Sequence, residues 1–261
     1  MNKSLQKFPF FYVLIRSWDS FEWFDRCINS VFNQTYRNYK ILFVDDASYY
    51  SKKQQEYIRK RLKNHVVIFN KIRRYSVYNA YCLIHKYAKN NDAVILNLDG
   101  DDWLLEKNSL KHIAAVYQKN RGCLLTYGEC YIWGGKGLSE KKSRFIKHYS
   151  NIRYPIDIVR KLSYRRQPFY PFHPLTWRVS LYKKIKKKDF LRPDGSWLQY
   201  GQDLAIFFPL LEMANGRFKV LKKSLYVYND ANPLSDLKRN LIKHLKDELI
   251  IRKGIAYDPV S

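Results

Sequence analysis

Long apolar runs are absent from this sequence. No stretch of the 261 residues reaches the roughly 18 uninterrupted apolar residues that a transmembrane helix needs. The lysine-containing start, Met1 to Lys7, also lacks the apolar core of a secretory signal. These absences speak against a membrane-spanning or exported protein, and we expect a soluble protein located in the cytoplasm.

Cysteine is scarce as well. The four cysteines form no C-x-x-C pair, and none lies beside a histidine at zinc-ligand spacing: Cys27, Cys82, Cys123 and Cys130. A free cysteine usually behaves as a small apolar residue. We therefore interpret all four as reduced thiols, most of them buried.

Acidic residues are few relative to basic ones. The 23 Asp and Glu face 48 Lys and Arg, which gives a net charge of +25. Such an excess favours an anionic partner, and nucleic acid, an acidic membrane surface and a phosphorylated substrate all fit. A merely solubilising surface fits too, so charge alone does not choose the function.

The first half of the chain alternates short apolar runs with amphipathic stretches. The runs are β-branched or aromatic and predict buried strands at 10–15, 40–44, 65–69 and 93–98. The stretches between and after them predict helices, with caps near Ser20 and Asn108, at 20–33, 51–63, 76–90 and 108–119. Strand character returns at 122–133. The alternation predicts an α/β fold with a Rossmann-like, mostly parallel sheet flanked by helices.

The second half is less regular. Glycines followed by a lysine-rich run predict a mobile surface loop over 134–151, and four prolines prevent 153–187 from forming one helix. We predict a helix at 203–214, a hairpin at 217–229 and a basic amphipathic helix at 236–252.

Two acidic clusters directly follow predicted strands. Asp45 and Asp46 end the second strand, and Asp99-Gly100-Asp101-Asp102 ends the fourth. The carboxyl ends of parallel strands meet at one crevice, where such crowded carboxylates repel one another unless a cation neutralises them. A Mn²⁺ or Mg²⁺ ion bound to a diphosphate fits this need. A solvated Asp-Gly turn is the simpler alternative.

At these residues the sequence resembles the family-two glycosyltransferases, which have the A-type glycosyltransferase fold. The likeness covers about residues 9–240. It rests on NSVFNQTYRNYKILFVDDAS at 29–48, NLDGDDWL at 97–104, TYGECY at 126–131, FHPLTWRVSLYKKI at 172–185, DLAIFFPLLEMA at 203–214 and YNDANPLSD at 228–236. The resemblance implies transfer of a sugar from a nucleotide-diphosphate sugar, most commonly a UDP-sugar, to a hydroxyl of a glycan or glycoconjugate.

The resemblance also implies a donor-binding set. Ser17, Trp18 and Asp19 take the place of the first loop that meets the nucleoside, where Arg16 replaces the more usual small or proline residue. Asp46 takes the place of a residue that contacts the base or the ribose. The helix asparagine near the nucleotide corresponds to Asn79, in YSVYNAY, with Arg73 and Arg74 preceding it.

Asp99 and Asp101 match the family's D-x-D, and Asp102 follows it. One of Asp101 and Asp102 is expected to bind the metal and its neighbour the ribose, and the sequence leaves this choice open. In the second half, Asp203 matches the catalytic base, although Gln202 stands where many members carry Glu. Asp203 could also cap a helix.

His173 and Trp177 are candidate acceptor contacts, with core packing as the alternative for each. The chain then divides into a nucleotide-sugar-binding half (1–133), an acceptor-binding and catalytic-base half of the same domain (134–235) and a basic tail helix (236–261). The acceptor is expected to be a glycan or a lipid-linked glycan.

Leucines recur every four residues in the tail, at Leu237, Leu241, Leu245 and Leu249, among several lysines and arginines. Such a helix could dock on the domain, pair with another subunit or contact an anionic membrane peripherally.

Two rival functions remain. A nucleic-acid-binding protein would explain the charge, but the sequence has no helix-turn-helix, zinc-finger or aromatic ribonucleoprotein motif, so no nucleic acid partner is expected. A catalytically inactive scaffold is the other rival, and intact Asp46, Asp101 and Asp203 speak against it.

Overall fold

The computed structural model describes residues 8–134, 145–147, 152–234 and 240–260. Seven strands form the main sheet: β1 Phe11–Ser17, β2 Tyr39–Asp45, β3 Val66–Phe69, β4 Val94–Asp99, β6 Leu125–Gly128, β9 Leu175–Arg178 and β10 Phe218–Leu221. Their order is β10-β6-β9-β4-β1-β2-β3. The pairs β1–β2, β1–β4, β2–β3 and β6–β10 are parallel, whereas β9 runs antiparallel between β4 and β6. The predicted mostly parallel sheet is confirmed.

Helices cover both faces of this sheet. In chain order they are α1 Phe21–Phe32, α2 Lys52–Arg61, α3 Tyr75–Tyr87, α4 Ser109–Lys119, α5 Ile156–Arg160, α6 Val179–Tyr182, α7 Gln202–Ala214 and α8 Leu241–Lys253. The apolar residues of α1, α2 and α4 pack on one face with alternate side chains of β1. Those of α3, α6 and α7 pack on the other face with the intervening β1 side chains. Burial of both faces explains why the strands are almost wholly apolar.

A second, four-stranded sheet contains β5 Trp103–Leu104, β7 Tyr131–Trp133, β8 Phe145–Lys147 and β11 Tyr226–Asn229, in the order β5-β11-β7-β8. The predicted hairpin at 217–229 is wrong, because β10 pairs with β6 in the main sheet while β11 pairs with β5 and β7 in this one. The two strands are successive in sequence but belong to different sheets.

Ser20 and Asn108 are the N-cap residues of α1 and α4, as predicted. Neither Ser20 nor Asn108 caps its helix through its side chain, whereas Ser51 and Gln54 form a capping box at the start of α2. The predicted loop at 134–151 contains β8, and its residues 135–144 and 148–151 lie outside the described residues.

The tail helix, α8, docks on the domain, but not through its leucines. Residues 235–239, including Leu237, lie outside the described residues. Asp247 and Ile251 are buried against the body, while Leu241, Leu245 and Leu249 are exposed. The leucine repeat therefore marks the outer face, because the inner face is held by an ion pair and one isoleucine.

No helix within the described part of the chain combines the length and the apolar character needed to cross a membrane.

Candidate active site

A cavity of about 380 Å³ opens where β1, β2 and β4 end. Eight of the predicted site residues line it, namely Ser17, Trp18, Asp46, Asn79, Asp99, Asp101, His173 and Asp203, as do Arg16, Arg73 and Gln202. Asp19, Asp102 and Trp177 do not belong to its lining. The fold thus brings carboxylates from three separate segments to one place, as expected for the carboxyl ends of a wound sheet.

Asp46 joins β2 to the start of α3. Its two carboxylate oxygens accept hydrogen bonds from the backbone amides of Arg74 and Tyr75, each 2.8 Å long. Asn70 donates from its side-chain nitrogen to Asp46 and also to Oδ1 of Asn79. The Asn79 amide nitrogen is then buried at the cavity with no partner among the described residues. Asn79 thus lines the cavity with a buried donor that is unpartnered within the described part of the chain.

The first loop is held by hydrogen bonds. The Ser17 hydroxyl lies 2.8 Å from that of Ser20 and 3.0 Å from that of Tyr50. Asp19, at a positive φ of 46°, accepts from the Tyr49 amide while its own amide donates to Ser48. Asp19 therefore shapes the loop from outside the cavity.

Trp18 forms part of the cavity wall together with an arginine. The guanidinium of Arg73 stacks 3.4 Å from the Trp18 ring centroid and 4.5 Å from that of Tyr75. Stacking of this kind orients a guanidinium at the cavity wall. Arg74 lies instead over Tyr78 and does not line the cavity.

Asp45, the neighbour of Asp46, is a structural residue. It accepts hydrogen bonds from the backbone amide and the hydroxyl of Ser48. Burial raises the pKa of the Asp45 carboxyl to about 6. Asp45 fixes the turn after β2, while Asp46 lines the cavity.

Arg16 and Asp99 are register partners at the ends of β1 and β4. Nη2 of Arg16 donates to Asn97 Oδ1 at 2.7 Å and to Asp99 Oδ1 at 2.5 Å. Between Asp99 and Asp101, a Cβ on Gly100 would come within 2.9 Å of the Arg16 carbonyl oxygen and of Ser17. Only glycine fits this close approach of two backbones, which explains the glycine within the acidic cluster.

Asp101 and Asp102 have different environments. Asp101 faces the cavity, and its Oδ2 accepts from Asn232 at 2.7 Å. Asp102 is buried, and its oxygens accept from the Tyr226 hydroxyl and the Asn229 amide, both at 2.7 Å. Burial, together with the neighbouring carboxylates, raises the pKa of Asp102 well above its usual range. Asp102 thus ties the acidic cluster to β11.

His173 joins the acidic cluster from a distant part of the chain. Leu175 pairs with Asn97, so the antiparallel register carries His173 back towards Asp99. The imidazole stacks on Tyr226 at 4.5 Å, and its Nδ1 is buried without a partner among the described residues. Ligand atoms of Asp99, Asp102 and His173 lie within 4.8 Å of one another.

This donor set fits a divalent cation. Carboxylate oxygens suit Mg²⁺ and Mn²⁺ alike, and an imidazole nitrogen favours the softer of the two. The unpartnered Nδ1 of His173 is a buried polar atom of the kind that a metal ion would satisfy.

Asp203 lies in the first turn of α7. The N-cap position belongs to Gly201, at a φ of 66°, so Asp203 is not the helix cap. Burial raises the pKa of the Asp203 carboxyl more than any other influence. The neighbouring His173 and Arg16 lower this pKa, and the nearby Asp99 raises it. Asp203 therefore lies within electrostatic reach of both the acidic cluster and its basic neighbours.

Trp177 has no access to the cavity. It is 1% exposed and packs on Tyr182 and Phe207. The prediction of an acceptor contact is corrected accordingly, because Trp177 points from β9 into the core beneath α7.

Several site residues were not assigned a role from the sequence. Asn70, Asn97, Tyr226, Asn229 and Asn232 each hold one of the site's polar groups. The YNDANPLSD segment containing Asn229 and Asn232 was a visible signal, since asparagines clustered after a strand favour side-chain hydrogen bonding.

Comparison with known proteins agrees with this geometry. A wound sheet with an acidic cluster at the carboxyl ends of its strands is typical of nucleotide-binding proteins. The family model described as "Glycosyl transferase family 2" matches residues 12–185. The chain therefore belongs to glycosyl transferase family 2, and the resemblance noted in the sequence is confirmed.

Solved structures share the fold. The structure of S. aureus TarS is 20% identical, with a TM-score of 0.57, over 84% of this chain and 36% of that one. TarS residues 1–349 in complex with UDP are 19% identical, with a TM-score of 0.59, over 95% of this chain and 67% of that one. The mannosyltransferase PcManGT from Pyrobaculum calidifontis, in complex with GDP-Man and Mn²⁺, is 14% identical, with a TM-score of 0.56, over 96% of this chain and 66% of that one. No curated protein matches the sequence. These likenesses confirm the A-type glycosyltransferase fold.

Proposed function

We propose that the protein is a metal-dependent, inverting glycosyltransferase that moves a sugar from a nucleotide-diphosphate sugar, a UDP-sugar by preference, to a hydroxyl of a glycan or lipid-linked glycan. One observation carries the proposal: Asp203 lines the same cavity as Asp99 and Asp101. A single cavity then holds a carboxylate able to accept a proton and a cluster able to organise a diphosphate.

The donor would occupy the part of the cavity built by residues 1–133. Asn79 offers a free amide nitrogen there, and Asp46 fixes the surrounding backbone. The Arg73 guanidinium, stacked on Trp18, is placed to meet the diphosphate oxygens. TarS has been captured with UDP and UDP-GlcNAc, and PcManGT with GDP-Man, which supports a nucleotide-sugar donor.

Asp99, Asp102 and His173, with Asp101 beside them at the cavity, would hold the Mn²⁺ or Mg²⁺ ion. Asp101 faces the cavity, and Asp102 and His173 have ligand atoms close together. When bound, the ion supplies charge neutralisation to the diphosphate. Asp99 contributes less negative charge to this set, because Arg16 pairs with it.

Asp203 acts as the general base. An acceptor hydroxyl is a poor nucleophile, so a carboxylate within hydrogen-bond reach takes its proton as the new glycosidic bond forms. The bond to the diphosphate breaks in the same step, and the proton resides on the Asp203 carboxyl. With the base and the leaving group on opposite sides of the reacting carbon, a single displacement inverts that centre.

A thermal-shift series with donor hydrolysis tests this proposal. UDP with Mn²⁺ at about 100 times its Kd should stabilise the protein by about 2.7 kcal/mol. GDP with Mn²⁺ tests the base preference, and an oligonucleotide without metal tests the rival nucleic-acid-binding function. Hydrolysis of one UDP-sugar would identify the donor. A shift with the oligonucleotide alone would refute the proposal, and UDP binding without turnover of any donor would favour the scaffold.

A further inference from the structure

The outer face of α8 is unusually apolar for an exposed helix. Leu241, Ile242, Leu245 and Leu249 are 54, 71, 49 and 59% exposed. At 3.6 residues per turn, these four side chains fall within an arc of roughly 100°. They form one continuous band, hereafter the apolar band, rather than scattered surface residues.

The inner face of α8 is fixed, so the apolar band cannot turn inwards. Asp247 accepts from Nε and Nη2 of Arg192, at 2.7 and 2.8 Å, and from the backbone amides of Gln199 and Tyr200. Arg165 donates to the carbonyl of Ile251 at 2.6 Å. These bonds lock the rotation of the helix about its axis.

The exposed charge on α8 is positive, and on the helical wheel Lys246 and Lys253 flank the apolar band while Lys243 lies further round the helix. Lys243, Lys246 and Lys253 are exposed. The two acidic residues of α8, Asp247 and Glu248, are paired with Arg192 and Arg252. The outer face therefore presents an apolar band next to lysines, without an uncompensated carboxylate on the helix.

We propose that α8 binds in the plane of an anionic lipid bilayer, with the apolar band inserted at the headgroup level and the lysines on lipid phosphates. Insertion of a narrow apolar face combined with attraction of lysines to acidic lipid is how interfacial helices bind. A second copy of the chain is a poorer occupant, because pairing of the two outer faces would bring like-charged lysines together between chains of +25 each.

The position of α8 links this surface to the cavity. His244, on the same helix, lines the cavity, and its ring lies 6.5 Å from that of Tyr200. A bilayer against the outer face would thus lie about one helix diameter, roughly 10 Å, from the cavity lining. An acceptor carried on a lipid would reach the cavity from this side, an extension that rests on the proposed function.

Vesicle flotation at physiological salt tests the proposal. The full chain should float with vesicles of phosphatidylglycerol and phosphatidylcholine (1:1), and much less with phosphatidylcholine alone. The triple change Leu241→Ser, Leu245→Ser, Leu249→Ser should reduce the bound fraction on the order of tenfold or more, since each leucine lost removes buried apolar area. The same three positions changed to Met should preserve binding.

Charge is tested by a matched pair of variants. Lys243→Glu, Lys246→Glu and Lys253→Glu should abolish binding. Lys52→Glu, Lys53→Glu and Lys60→Glu change the net charge equally on α2, which packs on the opposite face of the sheet, and should retain it. Equal losses of vesicle binding in both sets would overturn the proposal and indicate diffuse electrostatic attraction. Full binding by the serine variant would also overturn the proposal, because the apolar band would then not be needed.

Oligomeric state and nucleotide binding complete the test. A lipid-free dimer that the serine variant dissociates, with vesicle binding unchanged, would assign the band to a second copy and overturn the membrane proposal. The UDP-induced thermal shift should be the same in all variants. Its absence in the unaltered chain would count against the proposed function alone.

Discussion

The guanidinium of Arg16 lies 2.5 Å from Oδ1 of Asp99, where β1 and β4 end side by side. Arg16 is buried, and its Nε and Nη1 have no partner among the described residues. This ion pair neutralises one carboxylate of the acidic cluster without a metal ion. The pairing with Asp99 gives Arg16 a physical role at the end of β1.

Changing Arg16 to Met should destabilise the protein. Loss of the arginine leaves Asp99 without its partner, at a cost of about 2 kcal/mol, less than for a fully buried pair because Asp99 is partly exposed. Urea unfolding measures this change. Arg16→Met combined with Asp99→Asn should recover part of the loss, and strictly additive effects would contradict the coupling.

Asp101 and Asp102 should differ in how much each contributes to stability. Asp101→Asn should lower Mn²⁺ affinity, measured calorimetrically with UDP present, with little change in unfolding free energy, because Asp101 lies at the cavity surface. Asp102→Ala should cost about 1–3 kcal/mol, because it leaves the buried Tyr226 hydroxyl and Asn229 amide without their acceptor. Equal stability of the two variants would contradict this division.

Metal removal is a related test. Excess chelator should abolish turnover and leave the fold intact, since the buried anchors of the acidic cluster are protein groups. Circular dichroism and donor hydrolysis on the same sample report both quantities. Full turnover in chelator would remove the ion from the reaction.

The sequence was most informative where local pattern decides structure. Four apolar runs predicted β1 to β4 to within about two residues, because strands buried on both faces must be apolar along their length. The same runs placed Asp46 and Asp99 at strand ends. In this half of the chain, the apolar pattern alone was enough to locate the strand-end carboxylates of the site.

Pairing between distant segments could not be predicted. The hairpin at 217–229 failed because apolar pattern identifies a strand but not its partner. His173 reaches the acidic cluster only through the β4–β9 register, and the exclusion of Trp177 from the cavity depends on the same pairing. The leucine repeat of α8 left docking, subunit pairing and membrane contact open, and only the structure shows that Asp247 and Ile251 form the docked face.

Asp247 should affect catalysis from a distance. Its carboxylate holds the Gln199 and Tyr200 amides, just before Asp203. Asp247→Asn weakens the pairing with Arg192, so we expect a loss of about 2 kcal/mol in stability and a fall in kcat larger than any change in KM. The exposed Asp258→Asn is the control. Unchanged kcat in folded Asp247→Asn would show that this anchor does not position the base.

The pH profile should reveal the burial of Asp203. Its pKa is raised from 3.8, so the ionised base is lost as pH falls through a value above 3.8, and the acid limb of kcat should lie there. Because Arg16 lowers this pKa, Arg16→Met should move the limb to higher pH. An acid limb that does not move would contradict the electrostatic link.

The same shift has a consequence for stability. A raised pKa in the folded state means that ionisation of Asp203 costs stability as pH rises through the folded pKa. Asp203→Asn carries no such charge and should melt at the same temperature or higher at pH 7. A clear fall in Tm would indicate that Asp203 has a structural role instead.

The most direct test of the account is the transfer reaction of Asp203→Asn, followed by NMR of the anomeric proton in the product. The variant keeps the size of the side chain but cannot accept the proton. UDP binding should survive, and turnover should fall by a factor on the order of a hundred to ten thousand. The unaltered enzyme should yield a product with the anomeric configuration opposite to that of the donor. Near-normal transfer by Asp203→Asn, or a product that retains the donor configuration, would contradict the assignment of Asp203 as the base of an inverting displacement.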